Sequence, residues 1–170
     1  SDDFSRRAPT SNLQLPTSNF QLPTSSLLLL ALLLASFLRF YRLDAQSFWN
    51  DEGNSARIAE RSVDLILEGA EGDIHPPGYY LLLHVWRSAA GHSEFALRSL
   101  SVAAGLALVI FTYLLGRHLF DDTTGLIAAA LAALSPFAIY YSQEARMYAL
   151  LAALSAASTY LLVLQIGKSA

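Results

Sequence analysis

Two adjacent carboxylates, Asp51 and Glu52, follow Phe48 and Trp49 shortly after the first apolar run of the chain. Aromatic side chains favour the headgroup layer of a bilayer, so the pair is expected where a membrane meets water. A carboxylate held there can take the proton of a hydroxyl group while a new bond forms. Asp51 is therefore our candidate catalytic base. Glu52 would point in another direction on any helix, so we expect it to orient the loop or to bind substrate hydroxyls.

A second interpretation of this pair needs no chemistry. Asn50, Asp51 and Glu52 can also cap the helix that starts there, because the positive end of a helix dipole favours acidic residues by roughly 0.3–1 kcal/mol. The two interpretations are compatible, and both remain open at this point.

Three further residues are candidates for substrate binding. His75 precedes two prolines, which extend the backbone and direct the histidine towards the start of the next helix. Glu144 and Arg146 lie in a short turn between two apolar runs, which emerges on the same side as Asp51 if the runs alternate across a membrane. His75, Arg146 and the helix N-terminus after the prolines are candidate donors to an anionic group such as a phosphate. A turn-fixing histidine and an interfacial salt bridge are the structural alternatives.

Helix geometry limits how Glu144 and Arg146 could cooperate. On a continuous helix Glu144 shares a face with Tyr148, whereas Arg146 is rotated from it by about 200°. The two residues are therefore expected to serve one pocket only if the turn is irregular.

A divalent metal site could use carboxylate and imidazole ligands from Asp51, Glu52, Asp73, His75 and Glu144. No ligand spacing in the sequence demands such a site. We therefore predict no metal ligand and no required cofactor, with a divalent metal as a minor alternative.

The composition indicates an integral membrane protein. Of the 170 residues, 54% are hydrophobic and 15% are charged, whereas charged residues make up about a quarter of a soluble domain. The formal charge of −3 does not favour nucleic-acid binding. The absence of cysteine excludes disulfides, thiolate metal sites and a cysteine nucleophile.

Four apolar segments are predicted to cross the membrane, at residues 27–41, 99–115, 125–141 and 147–166. A signal peptide is the alternative for the first, but it lacks an A-x-A cleavage site, so we favour an uncleaved span. Arg39 and Arg42 are expected to snorkel at its far end. Residues 1–26 contain a seven-residue repeat with a proline in each unit and are predicted to be a disordered tail.

The connection at residues 42–98 is predicted to carry two interfacial amphipathic helices. The second covers residues 76–90, with prolines at its start and Gly91 just past its end. The first places its apolar residues at helical spacing, with charged residues opposite: Ala56, Ala59, Val63, Ile66 and Leu67. The predicted fold is therefore all-α and integral to the membrane, with about four transmembrane helices and two interfacial helices in the first long loop.

Three motifs resemble those of the GT-C membrane glycosyltransferases, in particular the protein mannosyltransferase and aminoarabinose transferase branch. They are Asp51–Glu52, HPPGYY at residues 75–80 and YYSQEARMY at residues 140–148. The resemblance covers about residues 25–165. Since members of this family are typically much longer, it implies that the chain is an N-terminal portion.

The resemblance also implies an activity. Asp51 would be the base in a single inverting displacement that transfers a sugar from a polyprenyl-phosphate donor to a hydroxyl of a protein, lipid or glycan. The long loop at residues 42–98 and the active face would be extracytoplasmic in a multi-pass plasma-membrane protein. Some relatives bind a metal near the base and others work without one.

Two other classes of function are alternatives. A catalytically inactive binding or scaffold subunit, or a pseudo-enzyme, could keep the same fold. A small transporter is disfavoured, because the centres of the last three predicted spans contain no ionisable residue. The arginines are divided between both sides of the membrane, so the positive-inside rule does not support either orientation.

Overall fold

The computed structural model describes residues 23–70, 72 and 76–169 of the chain. The repeat-containing tail up to residue 22, Asp73 and His75 lie outside the described residues. The described part contains eight helices and no strand: α1 (Thr24–Phe40), α2 (Asn50–Ala59), α3 (Val63–Ala70), α4 (Gly78–Ala90), α5 (Glu94–Leu119), α6 (Asp122–Leu134), α7 (Pro136–Ser142) and α8 (Tyr148–Ser169).

Two of these helices, α5 and α8, are long and apolar enough to cross a bilayer. The bent pair of α6 and α7 makes a third span if it is counted as one, and α1 is a shorter apolar helix of 17 residues. Leucine and isoleucine side chains are exposed along α1, α6 and α8, as expected where lipid replaces water around the protein. The prediction of an all-α membrane protein is confirmed, and by length and composition two or three spans are present in the described residues.

The long helix α5 is the centre of the bundle, and it packs against α1, α4, α6, α7 and α8. Small residues permit the closest approach. Gly116 of α5 faces Gly125 of α6 so closely that a methyl group added to Gly116 would lie 3.0 Å from the Gly125 Cα. Without a hydrophobic driving force between helices in lipid, such close packing is a main source of helix association.

The predicted third span, residues 125–141, is broken rather than straight. Helices α6 and α7 meet at an angle of 59°. The cause is Pro136, which has no amide hydrogen for the Ala132 carbonyl one turn earlier. Ser135 begins the next helix, and its hydroxyl accepts a hydrogen bond from the Ala138 amide at 3.3 Å.

Arg39 does not snorkel to the surface, and that expectation was wrong. Its side chain is fully buried and donates to the carbonyls of Ala132 and Ala133, each at 3.1 Å. It also bonds to the Ser142 hydroxyl at 3.2 Å. The break at Pro136 frees those carbonyls, and backbone groups within a membrane must find partners inside the protein. Arg39 therefore holds the bent span against α1.

The first amphipathic helix is also divided, contrary to the prediction of one helix. Helix α2 ends at Ala59 and α3 begins at Val63. Ala59 and Ile66 are buried, but Val63 and Leu67 are each 46% exposed. The apolar spacing continues across the break and does not reveal it. The available local signal for the new helix is Ser62, because serine favours the position before a helix start. The second helix, predicted at residues 76–90, is confirmed as α4, and Gly91 ends it with φ 104°.

We predict that Gly105→Ala destabilises the bundle. The added methyl group would meet the Ser142 hydroxyl and would lie 2.9 Å from Arg39 Nε. Since both groups are held by hydrogen bonds, neither can move away freely. We expect the free energy of unfolding to fall by roughly 1–3 kcal/mol, as in other overpacked sites, measured by denaturant titration in detergent micelles.

Gly53→Ala in α2 is the matched control, because nothing lies within 4 Å of its added methyl group. Alanine favours helix over glycine, so this variant should be as stable as the wild type or more stable. An equal loss in both variants would contradict the packing that we describe around Gly105.

Candidate functional site

Glu52 is a buried carboxylate with hydrogen bonds to both oxygens. It belongs to the acidic pair that the sequence predicted to take part in catalysis or substrate binding. Its side chain lies in the first turn of α2 and is 1% exposed. Arg98 of α5 donates to it through Nε at 2.8 Å and through Nη2 at 2.7 Å. The Ala145 amide donates to the same carboxylate at 2.7 Å, and the Trp49 amide does so at 3.4 Å. Glu52 thus joins α2, α5 and the turn before α8.

Arg98 connects the same junction of α2, α5 and the turn before α8 to the α1–α2 loop. Its Nη1 donates to the carbonyls of Leu43 and Gln46, at 2.8 and 2.7 Å. The guanidinium also lies 5.2 Å from the centre of the Phe48 ring. A buried ion pair is tolerated only when such bonds satisfy its remaining donors and acceptors. Arg98 was not among the predicted site residues, although a charged residue at the start of an apolar helix is costly and was the available signal.

Asp51 has the opposite environment to its neighbour. Its side chain is 44% exposed, and its Oδ2 lies 3.6 Å from Arg146 Nη2. Its backbone carbonyl accepts hydrogen bonds from the Ser55 hydroxyl at 3.0 Å and from Arg146 Nη1 at 3.4 Å. Successive residues of a helix point about 100° apart, so one carboxylate faces the interior while the other faces outwards.

The turn before α8 is irregular. An irregular turn was the condition under which Glu144 and Arg146 could serve one pocket. Helix α7 ends at Ser142 and α8 begins at Tyr148. Between them the Arg146 amide bonds to the Glu144 carbonyl at 2.8 Å, only two residues back. Both side chains are directed inwards, with exposures of 7% for Glu144 and 4% for Arg146.

Arg146 uses its donors incompletely. Nη1 lies 3.4 Å from the Ser55 hydroxyl, and the guanidinium lies 5.6 Å from the centre of the Tyr148 ring. Its Nε is buried and makes no hydrogen bond to the described residues. The Nη1 and Nη2 contacts with Asp51 and Ser55 are long, at 3.4–3.6 Å, so these donors beside a half-exposed carboxylate are able to bind a further anion.

A cleft of about 720 Å³ opens beside this junction. One wall is the loop between α1 and α2, and the other is formed by α7 and the start of the turn. Glu52 and Arg98 lie among its lining residues, as does Glu144, whose carboxylate interacts with the Tyr140 hydroxyl. Aromatic and polar side chains make up much of the remaining lining: Tyr41, Arg42, Gln46, Trp49 and Gln143. Such a mixture suits a polyhydroxylated ligand, whose hydroxyls need polar partners and whose ring faces can lie on aromatic rings.

The structure therefore brings Asp51, Glu52, Glu144 and Arg146 to one end of the bundle, and the Ala145 bond to Glu52 holds the two motifs together. His75 lies outside the described residues, so its contact with a phosphate stays a prediction. Among the residues that the structure describes, no group of three or more histidines and acids is placed to hold a metal ion.

We predict that Glu52→Gln is strongly destabilising. Glutamine would leave the Arg98 charge buried without a counter-ion, so the free energy of unfolding should fall by roughly 3–5 kcal/mol. Glu60→Gln is the control, because the Glu60 pair with Arg87 is surface-exposed, at 3.3 Å with 56% of the Glu60 side chain accessible. That variant should change stability by less than about 0.5 kcal/mol. Similar losses in the two variants, measured by denaturant titration, would count against the structural role of Glu52.

Comparison with known proteins identifies the family. The family model of dolichyl-phosphate-mannose-protein mannosyltransferases matches residues 74–170, more than half of the chain. The match includes the HPPGYY motif, Arg98 and the turn with Glu144 and Arg146, whereas Asp51 and Glu52 precede it. Neither a search of curated proteins nor a search of solved structures gave a match. With its apolar helices and this match, the chain belongs to the dolichyl-phosphate-mannose-protein mannosyltransferase family of membrane glycosyltransferases.

Proposed function

We propose that this chain carries the base and the phosphate-binding arginine of an inverting glycosyltransferase, which moves a sugar from a polyprenyl-phosphate donor to an acceptor hydroxyl. The observation that supports it best is the contrast between the two acids. The buried Glu52 carboxylate accepts four hydrogen bonds. Asp51, in contrast, is half-exposed beside the buried, incompletely bonded Arg146.

Asp51 is suited to the role of base. Its carboxylate is open to an incoming hydroxyl, and among the described residues its charged neighbour is Arg146 at 3.6 Å. In the proposed step, Asp51 takes the acceptor proton while the acceptor oxygen bonds to the anomeric carbon. The bond from that carbon to the phosphate oxygen breaks on the opposite side, which inverts the configuration and releases polyprenyl phosphate.

Arg146 is suited to hold the phosphate as it leaves. The leaving group gains negative charge when the sugar departs, and a fixed guanidinium stabilises charge that develops in a transition state. The guanidinium geometry also permits two parallel hydrogen bonds to phosphate oxygens. We assign the second phosphate donor to His75 on the basis of its motif alone.

Glu52 and Glu144 complete the assignment. The contacts of Glu52 favour the loop-orienting role over direct binding of sugar hydroxyls, although it also lines the cleft. Glu144 faces the same cleft, where its carboxylate can accept hydrogen bonds from a sugar or from the acceptor.

The wider setting follows the family. The donor would be a dolichyl-phosphate mannose or a related polyprenyl-phosphate sugar, and the acceptor a protein, a lipid or a glycan. We place the active face on the extracytoplasmic side of the plasma membrane, with the bilayer as the remaining partner and no nucleic acid. The reaction as drawn requires no cofactor.

We predict that Asp51→Asn lowers transfer by at least about 100-fold, since asparagine cannot take the acceptor proton. The assay follows labelled sugar from a panel of polyprenyl-phosphate donors in membranes that contain the chain. Asp44→Asn, at an exposed position in the α1–α2 loop, should leave transfer unchanged. Near-normal turnover in Asp51→Asn would remove Asp51 from the role of base. If the wild type transferred no sugar from any donor, the chain would be either a portion of the enzyme that is inactive alone or a binding or scaffold subunit.

We predict that Arg146→Lys raises the KM for the polyprenyl-phosphate donor about tenfold, because lysine keeps the charge but loses the planar pair of donors. The KM for the acceptor should stay near the wild-type value. Arg57→Lys on the exposed face of α2 is the control and should change neither constant. An equal rise in both KM values for Arg146→Lys would indicate a general loss of structure instead of lost phosphate contacts.

A further inference from the structure

Two buried donors next to the proposed site have no hydrogen-bond partner among the described residues. One is Nε of Arg146, and the other is the hydroxyl of Tyr79 in α4. The Tyr79 residue is 5% exposed and Arg146 is 4% exposed. Buried polar groups in native proteins almost always have a partner, so two orphaned donors in one place require an explanation.

The two groups belong to one small region. Tyr79 packs in the same apolar cluster as Ala145, the residue before Arg146. Ser101 of α5 connects them further, because its hydroxyl donates to the Arg146 carbonyl at 3.3 Å and lies near the Tyr79 hydroxyl, although not in a geometry that makes a hydrogen bond with it. Burial raises the pKa of Tyr79, and the Ser101 hydroxyl and the Arg146 charge act in the opposite direction with smaller effects. The Tyr79 hydroxyl therefore keeps its proton and remains a donor near Arg146.

We propose that Tyr79 is a positioning residue for Arg146, and that its hydroxyl and Arg146 Nε donate to one shared internal water molecule. A water molecule has two lone pairs, so it can accept from both donors, and buried waters of this kind typically bond to otherwise unsatisfied groups. The water would fix the plane of the guanidinium, whose other edge faces Ser55 and Asp51. The consequence for phosphate binding rests on the function proposed above for Arg146.

The sign of a stability change distinguishes this arrangement from a hydroxyl without a partner. Removing an unsatisfied buried hydroxyl relieves its desolvation cost and should raise the melting temperature. Removing a hydroxyl that shares a water leaves that water and Arg146 Nε poorly bonded, so the melting temperature should fall. Tyr79→Phe makes this change with almost no change in shape.

The first experiment compares Tyr79→Phe with wild type in lipid nanodiscs that contain the full chain. We expect the melting temperature to fall by a few degrees and the dissociation constant of farnesyl phosphate to rise about tenfold. Tyr113→Phe is the control, because Tyr113 is equally buried in α5 but packs in a separate cluster with α6. It should leave the dissociation constant unchanged. A raised or unchanged melting temperature in Tyr79→Phe, or unchanged affinity in a chain that binds farnesyl phosphate, would overturn the proposal.

A second measurement does not depend on the proposed function. The Nε–H signal of Arg146 in nuclear magnetic resonance, assigned by its loss in Arg146→Lys, reports the exchange of that proton with solvent. We expect exchange to become at least about tenfold faster in Tyr79→Phe, while the Nε–H of Arg98, bonded to Glu52 at 2.8 Å, is unchanged. Unchanged exchange at Arg146 would refute the positioning role. If wild type does not bind farnesyl phosphate, the proposed function fails, and this signal alone decides the role of Tyr79.

Discussion

The buried ion pair between Glu52 and Arg98 is the interaction on which the arrangement of the site depends. Neither charge could be buried at this membrane edge alone, so each must be paired and its other hydrogen-bonding atoms must be satisfied. The partners that do so come from the α1–α2 loop and from the Ala145 amide. Three segments far apart in the sequence are thereby held in one place, which puts Asp51 and Arg146 next to each other.

This constraint explains how two neighbouring acids come to have different environments. Because Glu52 is directed into the junction, the geometry of α2 turns Asp51 outwards, where a hydroxyl can reach it. A second buried arginine, Arg39, performs a comparable structural task deeper in the bundle by bonding to the carbonyls freed at Pro136. Both arginines hold backbone that is irregular near or within the membrane, where water is not available to satisfy it. The incompletely bonded Arg146 differs from both, and that difference supports a ligand-binding role.

The sequence predicted what depends on local pattern and missed what depends on distant partners. Helices α4, α5 and α8 follow from apolar spacing and from terminal residues such as Gly91. Successive apolar runs cross a membrane in alternating directions, so the sequence also predicts that the turn with Glu144 lies on the same side as the acidic pair. The burial of Arg39 could not be foreseen, because its partners lie more than ninety residues away. Pro136 was the unused signal for the bend between α6 and α7, and hydropathy alone conceals such a break because both halves are apolar.

Hydrogen exchange at the Ala145 amide tests the central role of Glu52 most directly. This amide lies in a turn outside any helix and donates a hydrogen bond to the Glu52 carboxylate at 2.7 Å. If the buried junction organises the site, the Ala145 amide should exchange as slowly as the amide of Val102 within α5. Exchange as fast as that of the amide of Asp121, an exposed residue between α5 and α6, would mean that Glu52 does not hold the turn, and would contradict the different environments that we describe for Glu52 and Asp51.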